Sequence, residues 1–333
     1  MDPITQGALG AALPSAFANR KKLRSALLVG AIAGLAPDLD VLIRSGSDPL
    51  LFLEYHRQFT HSLVFIPLGA LLCALLCYGL GRRKLGLGFD QTYAFALLGY
   101  ATHAVLDACT SYGTLLLWPF SQQRFAWDTV SVIDPLVTLP LLALLALAAR
   151  RRAAVFAAAA VLWVACYQLA GLAQQQRALE AGWQLAAARG HQPLSVVAKP
   201  SFGNILLWRV IYQYDGRFYS DGVRAGWQLR SYPGASIPAL DTLRDFPWLD
   251  PASQQARDIA RFNWFSQGYT AVDPANPERI IDVRYAMLPT AVDGLWGIRL
   301  SRQRPGDQHA DYTVARELSP ATRDRFWQML SGQ

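Results

Sequence analysis

Apolar residues crowd the first 172 positions in long runs of Ala, Leu and Val, whereas the remainder mixes Arg, Asp, Gln and aromatic residues. A helix needs about 20 predominantly apolar residues to cross ~30 Å of hydrocarbon. Ser62–Leu80, Val130–Ala149 and Ala153–Leu172 satisfy this. Gln91–Thr110 is long enough but carries His103 and Asp107, and two shorter runs, Ile4–Ala18 and Ser25–Ala36, flank a basic cluster like a helical hairpin. The pattern predicts a polytopic helical membrane bundle of six helices, two of them marginal, over residues 1–172.

After Leu172 the period changes. Ala173–Arg189 is amphipathic and stops at Gly190, a helix C-terminal signal, so residues 173–190 form a connecting helix. Ile205–Tyr214 and Arg217–Val223 flank Asp215-Gly216, a dipeptide that accepts positive φ in a two-residue hairpin turn. Further strands are predicted at Phe262–Val272, Arg279–Met287 and Leu295–Leu300, and Ser319-Pro320 starts a terminal helix through Met329. Residues 191–333 therefore read as a small β-rich α+β soluble domain.

Composition supports the membrane reading: 52% of residues are hydrophobic and only 17% charged, against roughly 25% charged in soluble domains. The net charge of +7 sits in short clusters beside apolar runs, Arg20-Lys21-Lys22-Arg24, Arg82-Arg83-Lys84 and Arg150-Arg151-Arg152. These are topology signals rather than a nucleic-acid surface. Placing them in the cytoplasm puts ten basic residues inside, against Arg44, Arg57 and Arg124 in the opposite loops. The domain after Leu172 is then extracytoplasmic, the periplasm of a Gram-negative cell. Met-Asp-Pro, with no basic stretch before the first apolar run, does not resemble a cleaved signal peptide. Cys73, Cys77, Cys109 and Cys166 lie in or at the ends of apolar segments and read as packing residues.

Ionisable side chains in membrane helices cost about 2.5–3.5 kcal/mol at mid-bilayer, so they face partners or water and mark candidate sites. Asp38 and Asp40 end the second apolar run, where Pro37 breaks the helix; if that segment is extended, both carboxylates point the same way. His103 and Asp107 share a helix face at i,i+4. At 1.5 Å per residue, Asp38 lies about 21 Å beyond Arg24, His103 about 18 Å beyond Gln91 and Asp134 about 24 Å beyond Arg150. With His56, His61, Asp2 and Gln6, these residues converge on one outer layer. Imidazole nitrogen and carboxylate oxygen suit a divalent cation, Zn²⁺ ahead of Mn²⁺ or Mg²⁺, and the neighbouring carboxylates allow one ion or two. Bland readings stand beside this. His103 and Asp107 could be a hydrogen-bonded pair, Asp38 or Asp40 a helix cap, and His56 a solvated loop residue. His191 and His309, without neighbouring ligands, read as surface residues. Trp118, Phe120 and Trp127 fit an interfacial aromatic belt, and Arg124 in that loop fits an anion clamp for a lipid phosphate.

Asp2-Pro3-Ile4-Thr5-Gln6-Gly7, Pro37-Asp38-Leu39-Asp40, His56-Arg57-Gln58-Phe59-Thr60-His61-Ser62 and the stretch His103 to Gly113 together resemble the YdjM-like family of bacterial inner-membrane metal-dependent hydrolases. The resemblance covers roughly residues 1–140. That family is distantly similar to the zinc-dependent phospholipase C and single-strand nuclease superfamily, whose members hydrolyse phosphodiesters. The resemblance implies a metal-dependent hydrolase of the cytoplasmic membrane and nominates Asp38, Asp40, His61, His103 and Asp107 as ligands, with His56 beside them. Many members carry His where this chain has Gln6, and a Gln amide is a poor zinc ligand.

The expectation from sequence is thus a multi-pass inner-membrane phosphoesterase acting on a lipid or lipid-linked substrate. Glu54 or Asp128 would serve as the base and Arg124 as the clamp, and no nucleic acid is expected as partner. The rivals are an envelope scaffold whose β-rich domain binds an unidentified partner, and an ion carrier. The carrier is disfavoured by the wholly apolar inner halves Leu71–Leu80 and Leu141–Ala149.

Overall fold

The computed structural model describes residues 1–316 and 318–333; the side chain of Arg82, one of the basic residues cited above, lies outside the description. The chain divides into two compact units. The first comprises Met1–Leu42, Tyr55–Ala173 and Phe202–Asn204, the second Ile43–Glu54, Gln174–Ser201 and Ile205–Gln333.

The first unit is helical. α1 (Pro3–Ala16) starts at Asp2, whose carboxylate accepts from the Thr5 N–H. α2 (Leu23–Leu35) runs into a 3-10 turn at Ala36–Leu42. The short α3 (Leu51–Tyr55) and a 3-10 turn at Phe59–His61 precede α4 (Ile66–Leu85), α5 (Phe89–Ala108) and α6 (Pro135–Arg151). α6 is capped by Asp134, which accepts from the Leu136 N–H and from Tyr167. α7 (Ala154–Ala188) is one continuous helix of 35 residues with no break between the apolar stretch and the amphipathic one.

Among the described residues, Leu23–Leu42 and Ala154–Ala188 are long and apolar enough to cross a membrane. A third span results if Leu51–His61 and Ile66–Gly81, bent by 84°, count as one. The expected six spans are therefore corrected to two or three. α1, at 14 residues, reaches only about 21 Å. α6 has 17 residues and an internal Pro140. α5 spends its buried face on Thr92, Thr102, His103 and Asp107, which lowers its apolarity.

α1, α2 and α5 touch backbone to backbone. A Cβ built on Gly10 would lie 2.6 Å from the Gly30 carbonyl oxygen and 2.7 Å from the Gly34 Cα; one on Gly30 would meet the Gly10 oxygen at 2.3 Å, and one on Gly99 the Gly30 oxygen at 2.5 Å. Gly30 and Gly34 form the small-xxx-small spacing that lets helices approach this closely. The end of α2, which leads into Asp38, and the second half of α5, which carries His103 and Asp107, are thereby drawn together. Cys73 and Cys77 pack with Ala70, Ala74 and Tyr100, whereas Cys166 is exposed.

The second unit holds two antiparallel sheets. In the first, β1 (Val196–Pro200), β2 (Leu207–Tyr214), β3 (Arg217–Ala225) and β4 (Leu229–Tyr232) are consecutive neighbours, and β5 (Ser236–Pro238) pairs with β3. Asp215 and Gly216, at φ 47° and 66°, make the β2–β3 turn in the mirror-image conformation that matches strand twist. α8 (Thr242–Asp245) and α9 (Gln254–Phe265) precede the second sheet, β6 (Thr270–Asp273), β7 (Asn276–Asp282), β8 (Trp296–Arg299) and β9 (Asp311–Val314), and α10 (Pro320–Ser331) closes the chain. The strand expected from Phe262 is corrected: Phe262 and Phe265 end α9, capped by Ser253, and strand begins only at Thr270.

The segment 43–54, which the sequence leaves as a loop of the membrane half, folds with the second unit. Arg261 on α9 donates to Asp48 (2.8 and 3.1 Å) and Glu54 (2.5 Å), and Phe52 meets Tyr312 edge-on. Partial burial raises the Asp48 carboxyl, but the hydrogen bonds from Arg261 and the Leu50 N–H, with the Arg261 charge, outweigh it and hold it below the usual carboxylate range. Arg209 is buried and donates to the carbonyls of Val283, Leu288, Pro289 and Ala291; burial lowers its guanidinium to about 10.

Candidate metal centre

α5 presents His103 and Asp107 one turn apart, with His103 Nε2 3.6 Å from Asp107 Oδ2. The 3-10 turn before α4 supplies His61, and the 3-10 turn after α2 supplies Asp38. Asp38 Oδ1 lies 3.5 Å from His61 Nε2 and 3.3 Å from His103 Nε2, and His61 Nε2 lies 3.2 Å from Asp107 Oδ2. These four side chains each offer one donor atom within 4.8 Å of the others, and His61, His103 and Asp107 are fully buried.

The hydrogen bonds fix which imidazole nitrogens are bare. His103 Nδ1 lies 2.6 Å from the Gly34 carbonyl oxygen, which only accepts, so Nδ1 carries the hydrogen. His61 Nδ1 lies 2.9 Å from Thr60 Oγ1, which spends its own hydrogen on Asp40 Oδ2 at 2.9 Å, so this Nδ1 also donates. In the neutral rings both Nε2 atoms then carry lone pairs, and they face each other at 2.9 Å beside two carboxylate oxygens. One shared proton would relieve one contact; a cation relieves all of them. A tetrahedral ion with bonds of about 2.0–2.1 Å sets its donor atoms about 3.3–3.4 Å apart; five of the six separations here run from 2.9 to 3.6 Å, and the sixth, Asp38 to Asp107, is within 4.8 Å. The donor set fits zinc. Imidazoles held through Nδ1 by a carbonyl and by a carboxylate relay are the outer support that zinc ligands require.

Asp38 and Asp40 do different work. The segment is a 3-10 helix and not the extended strand considered from sequence. Asp40 accepts from His56 Nδ1 (2.8 Å), the Arg57 N–H (2.9 Å) and Thr60, and Asp38, Asp40 and His56 each bring a donor atom within 4.8 Å of the others as a second acidic–imidazole group. His56 is half-buried against Tyr112.

Gln6 donates through Nε2 to Asp107 Oδ1 at 2.8 Å, while its Oε1 is buried without a hydrogen-bond partner. The Met1 amino group also pairs with Asp107 Oδ1. Gln6 therefore sits behind a donor residue and supports it.

Arg57, read from sequence only as a loop charge, is buried at φ 63°. Its Nε lies 2.9 Å from Asp107 Oδ2, its Nη1 donates to Thr110 at 2.9 Å, and its guanidinium lies 4.8 Å from the Tyr112 ring centroid. Its position inside the His56–His61 segment was the available signal. Arg124 is buried on the same ring at 5.8 Å and donates to the Gly113 carbonyl. Asp128 is buried at φ 54°, and its neighbours Trp127 and Thr129 are hydrogen-bonded to Ala108 and Cys109 at the end of α5; it belongs to neither group. Glu54 is not brought to the centre, because its carboxylate accepts from Arg261.

His191 and His309, expected as bare surface residues, have partners in the second unit. His191 stacks on Tyr214 at 4.5 Å and bonds the Tyr212 hydroxyl, and His309 Nδ1 lies 3.0 Å from the buried Asp258.

The chain is similar to inner membrane protein YbcI of Escherichia coli (strain K12), 36% identical over 110 residues that make 32% of this chain and 61% of that protein. It is also similar to uncharacterized protein YfhP of Bacillus subtilis (strain 168), 25% identical over 123 residues, 37% of this chain and 36% of that protein. It thus spans less than two thirds of either relative. No solved structure matches it. The family model described as YdjM inner membrane protein matches residues 1–178, the stretch that carries every donor atom of the centre, and the chain belongs to that family.

Proposed function

We propose that the chain is a metal-dependent hydrolase of the inner membrane that cleaves a phosphoester of a lipid or lipid-linked molecule. The observation that carries the reading is the convergence of Asp38, His61, His103 and Asp107, with two imidazole Nε2 atoms 2.9 Å apart. A bound zinc ion supplies Lewis acidity toward water and a phosphoryl oxygen. His61 and His103 offer their lone pairs, Asp107 is fixed by Gln6 and Arg57, and Asp38, at 22% side-chain exposure, is the most open of the four. We assign Arg124, which shares the Tyr112 ring with Arg57, the role of anion clamp. Of the two carboxylates read as bases, Glu54 is held by Arg261 and Asp128 belongs to neither donor group, so neither is assigned as the base.

The side of the membrane follows from charge. Arg150, Arg151 and Arg152 precede α7, and cytoplasmic retention of such a cluster delivers residues 189–333 to the periplasm however many spans come before. Cysteine labelling of intact cells at the exposed Leu194 position checks this.

The deciding experiment is elemental mass spectrometry on detergent-purified protein, wild type against His103→Ala/Asp107→Ala, after stripping and reloading, followed by phosphate-release assays on membrane phospholipids. Near-stoichiometric zinc lost in the double variant, with hydrolysis by the loaded wild type, upholds the reading. Bound metal without turnover makes the ion structural and returns the chain to the scaffold reading. A folded wild type that binds no metal overturns the proposal.

A further inference from the structure

The hairpin between β3 and β4 carries Trp227 fully exposed, at 103% of its reference area. A tryptophan held out this far costs free energy in water unless something apolar receives it. Leu229, in the same hairpin, and Leu206, whose carbonyl accepts from the Ala225 N–H at 2.7 Å, are also exposed, so Trp227 is the tip of a small apolar projection.

The hairpin is latched to α7. Arg177 donates to the Gly226 carbonyl at 2.6 Å and lies 3.4 Å from the Ala225 carbonyl and 3.5 Å from that of Trp227, and Gln174 donates to Ala225 at 2.5 Å. α7 is almost wholly apolar from Ala154 to Ala173 and amphipathic from Gln174 onward. Arg177 therefore stands about 6 Å along the helix from Ala173, where the continuous apolar stretch ends. The headgroup layer on each side of a ~30 Å core is roughly 5–8 Å thick. With Ala154–Ala173 as the crossing stretch, a backbone latched to Arg177 stands at headgroup depth, where tryptophan rings are enriched.

Charge agrees. Arg224 and Arg230 are directly opposed across the β3–β4 pair, and no Asp or Glu occurs from Gly222 to Leu240. Both donate to carbonyls at the end of α10, Arg224 Nε to Leu330 at 2.7 Å and Arg230 to Gly332, and the hairpin keeps a net positive charge. We infer that the β3–β4 hairpin is a membrane-surface anchor, with Trp227 seated among the headgroups of an anionic lipid surface that the net positive charge of the hairpin favours. This inference is independent of the metal centre.

Leu194 provides the control. It is equally exposed, at 101%, and precedes Val196 at the end of β1 away from Pro200, whose partner Trp208 lies near the latch. The test uses the full chain in nanodiscs of phosphatidylcholine and phosphatidylglycerol in equal parts, with Cys166→Ser removing the one exposed thiol. Trp227→Cys or Leu194→Cys then carries a bimane probe, and nitroxide on the lipid headgroup is the quencher. The expected result is severalfold stronger quenching and bluer emission at position 227 than at 194. Equal quenching at the two positions, as for a hairpin standing in water or covered by a protein partner, overturns the inference. Both positions are solvent-facing, so neither substitution removes a packed side chain.

Discussion

Buried carboxylates are treated in opposite ways in the two units. In the second, each meets a guanidinium: Asp221 with Arg189 at 2.6 Å, Asp273 with Arg279 and Asp282 with Arg284 at 2.7 Å, Asp258 with Arg261 at 3.1 Å. In the first, Asp38 and Asp40 meet imidazoles, and Asp107 meets two imidazoles beside Arg57 and the Met1 amino group. A guanidinium is permanently charged and only donates, so such pairs saturate themselves. An imidazole that has already spent Nδ1 keeps a lone pair to give. Arginine pairing closes a site, and histidine pairing leaves coordination capacity open.

The sharpest way to break this contrast is to delete the open capacity. His103→Ala/Asp107→Ala is expected to weaken metal binding by well over 100-fold, more than loss of an outer support costs, as read by competition titration. Unchanged affinity would put the ion elsewhere. Arg209→Met tests the closed kind of charge: it strands four carbonyls and is expected to destabilise the second unit by about 3 kcal/mol, seen as a lowered melting transition at unchanged metal content. Asp40→Asn sharpens the comparison within the first unit, since Asp40 anchors Thr60 and through it His61. A fall of about 10–100-fold in affinity with stoichiometry retained is expected, and no change would mean that the relay orients nothing. The smallest effect is at Asp48. Its folded pKa is depressed, so its contribution is present above the ordinary carboxylate range and lost as pH falls through the folded value. Because the pair is partly exposed, about 1 kcal/mol or less is expected, and Asp48→Asn should flatten the acid limb of the second unit's stability profile accordingly.

What was legible in the sequence was local. Asp215-Gly216 announces its turn because few dipeptides accept two positive φ values, and His and Asp inside apolar helices stand out because their cost demands a reason. What was hidden depends on distance or on a few degrees of backbone. The pairing of Glu54 with Arg261 joins residues 207 apart in the chain, and nothing near Glu54 signals it. Asp38 and Asp40 do come together, but on a 3-10 turn and not on the extended segment that the alternation suggested. Phe262 and Phe265 read as strand because aromatic residues suit both elements, although the Ser253 cap and the spacing from Ile259 to Phe262 and Phe265 mark a helix. The membrane count ran high because the apolar runs at α1 and α6 suit a buried bundle helix as well as a span.

The contact of Gly10 with Gly30 and Gly34, and of Gly30 with Gly99, has a genetic consequence. In a saturation screen these positions would score as sharply as His61 or Asp107, although none offers a donor atom. They would differ in their suppressors: a damaged pocket can be rescued by trimming a facing side chain, but backbone against backbone leaves nothing to trim. Lesions without second-site revertants would therefore trace the weld between α1, α2 and α5, and revertible ones the chemistry it supports.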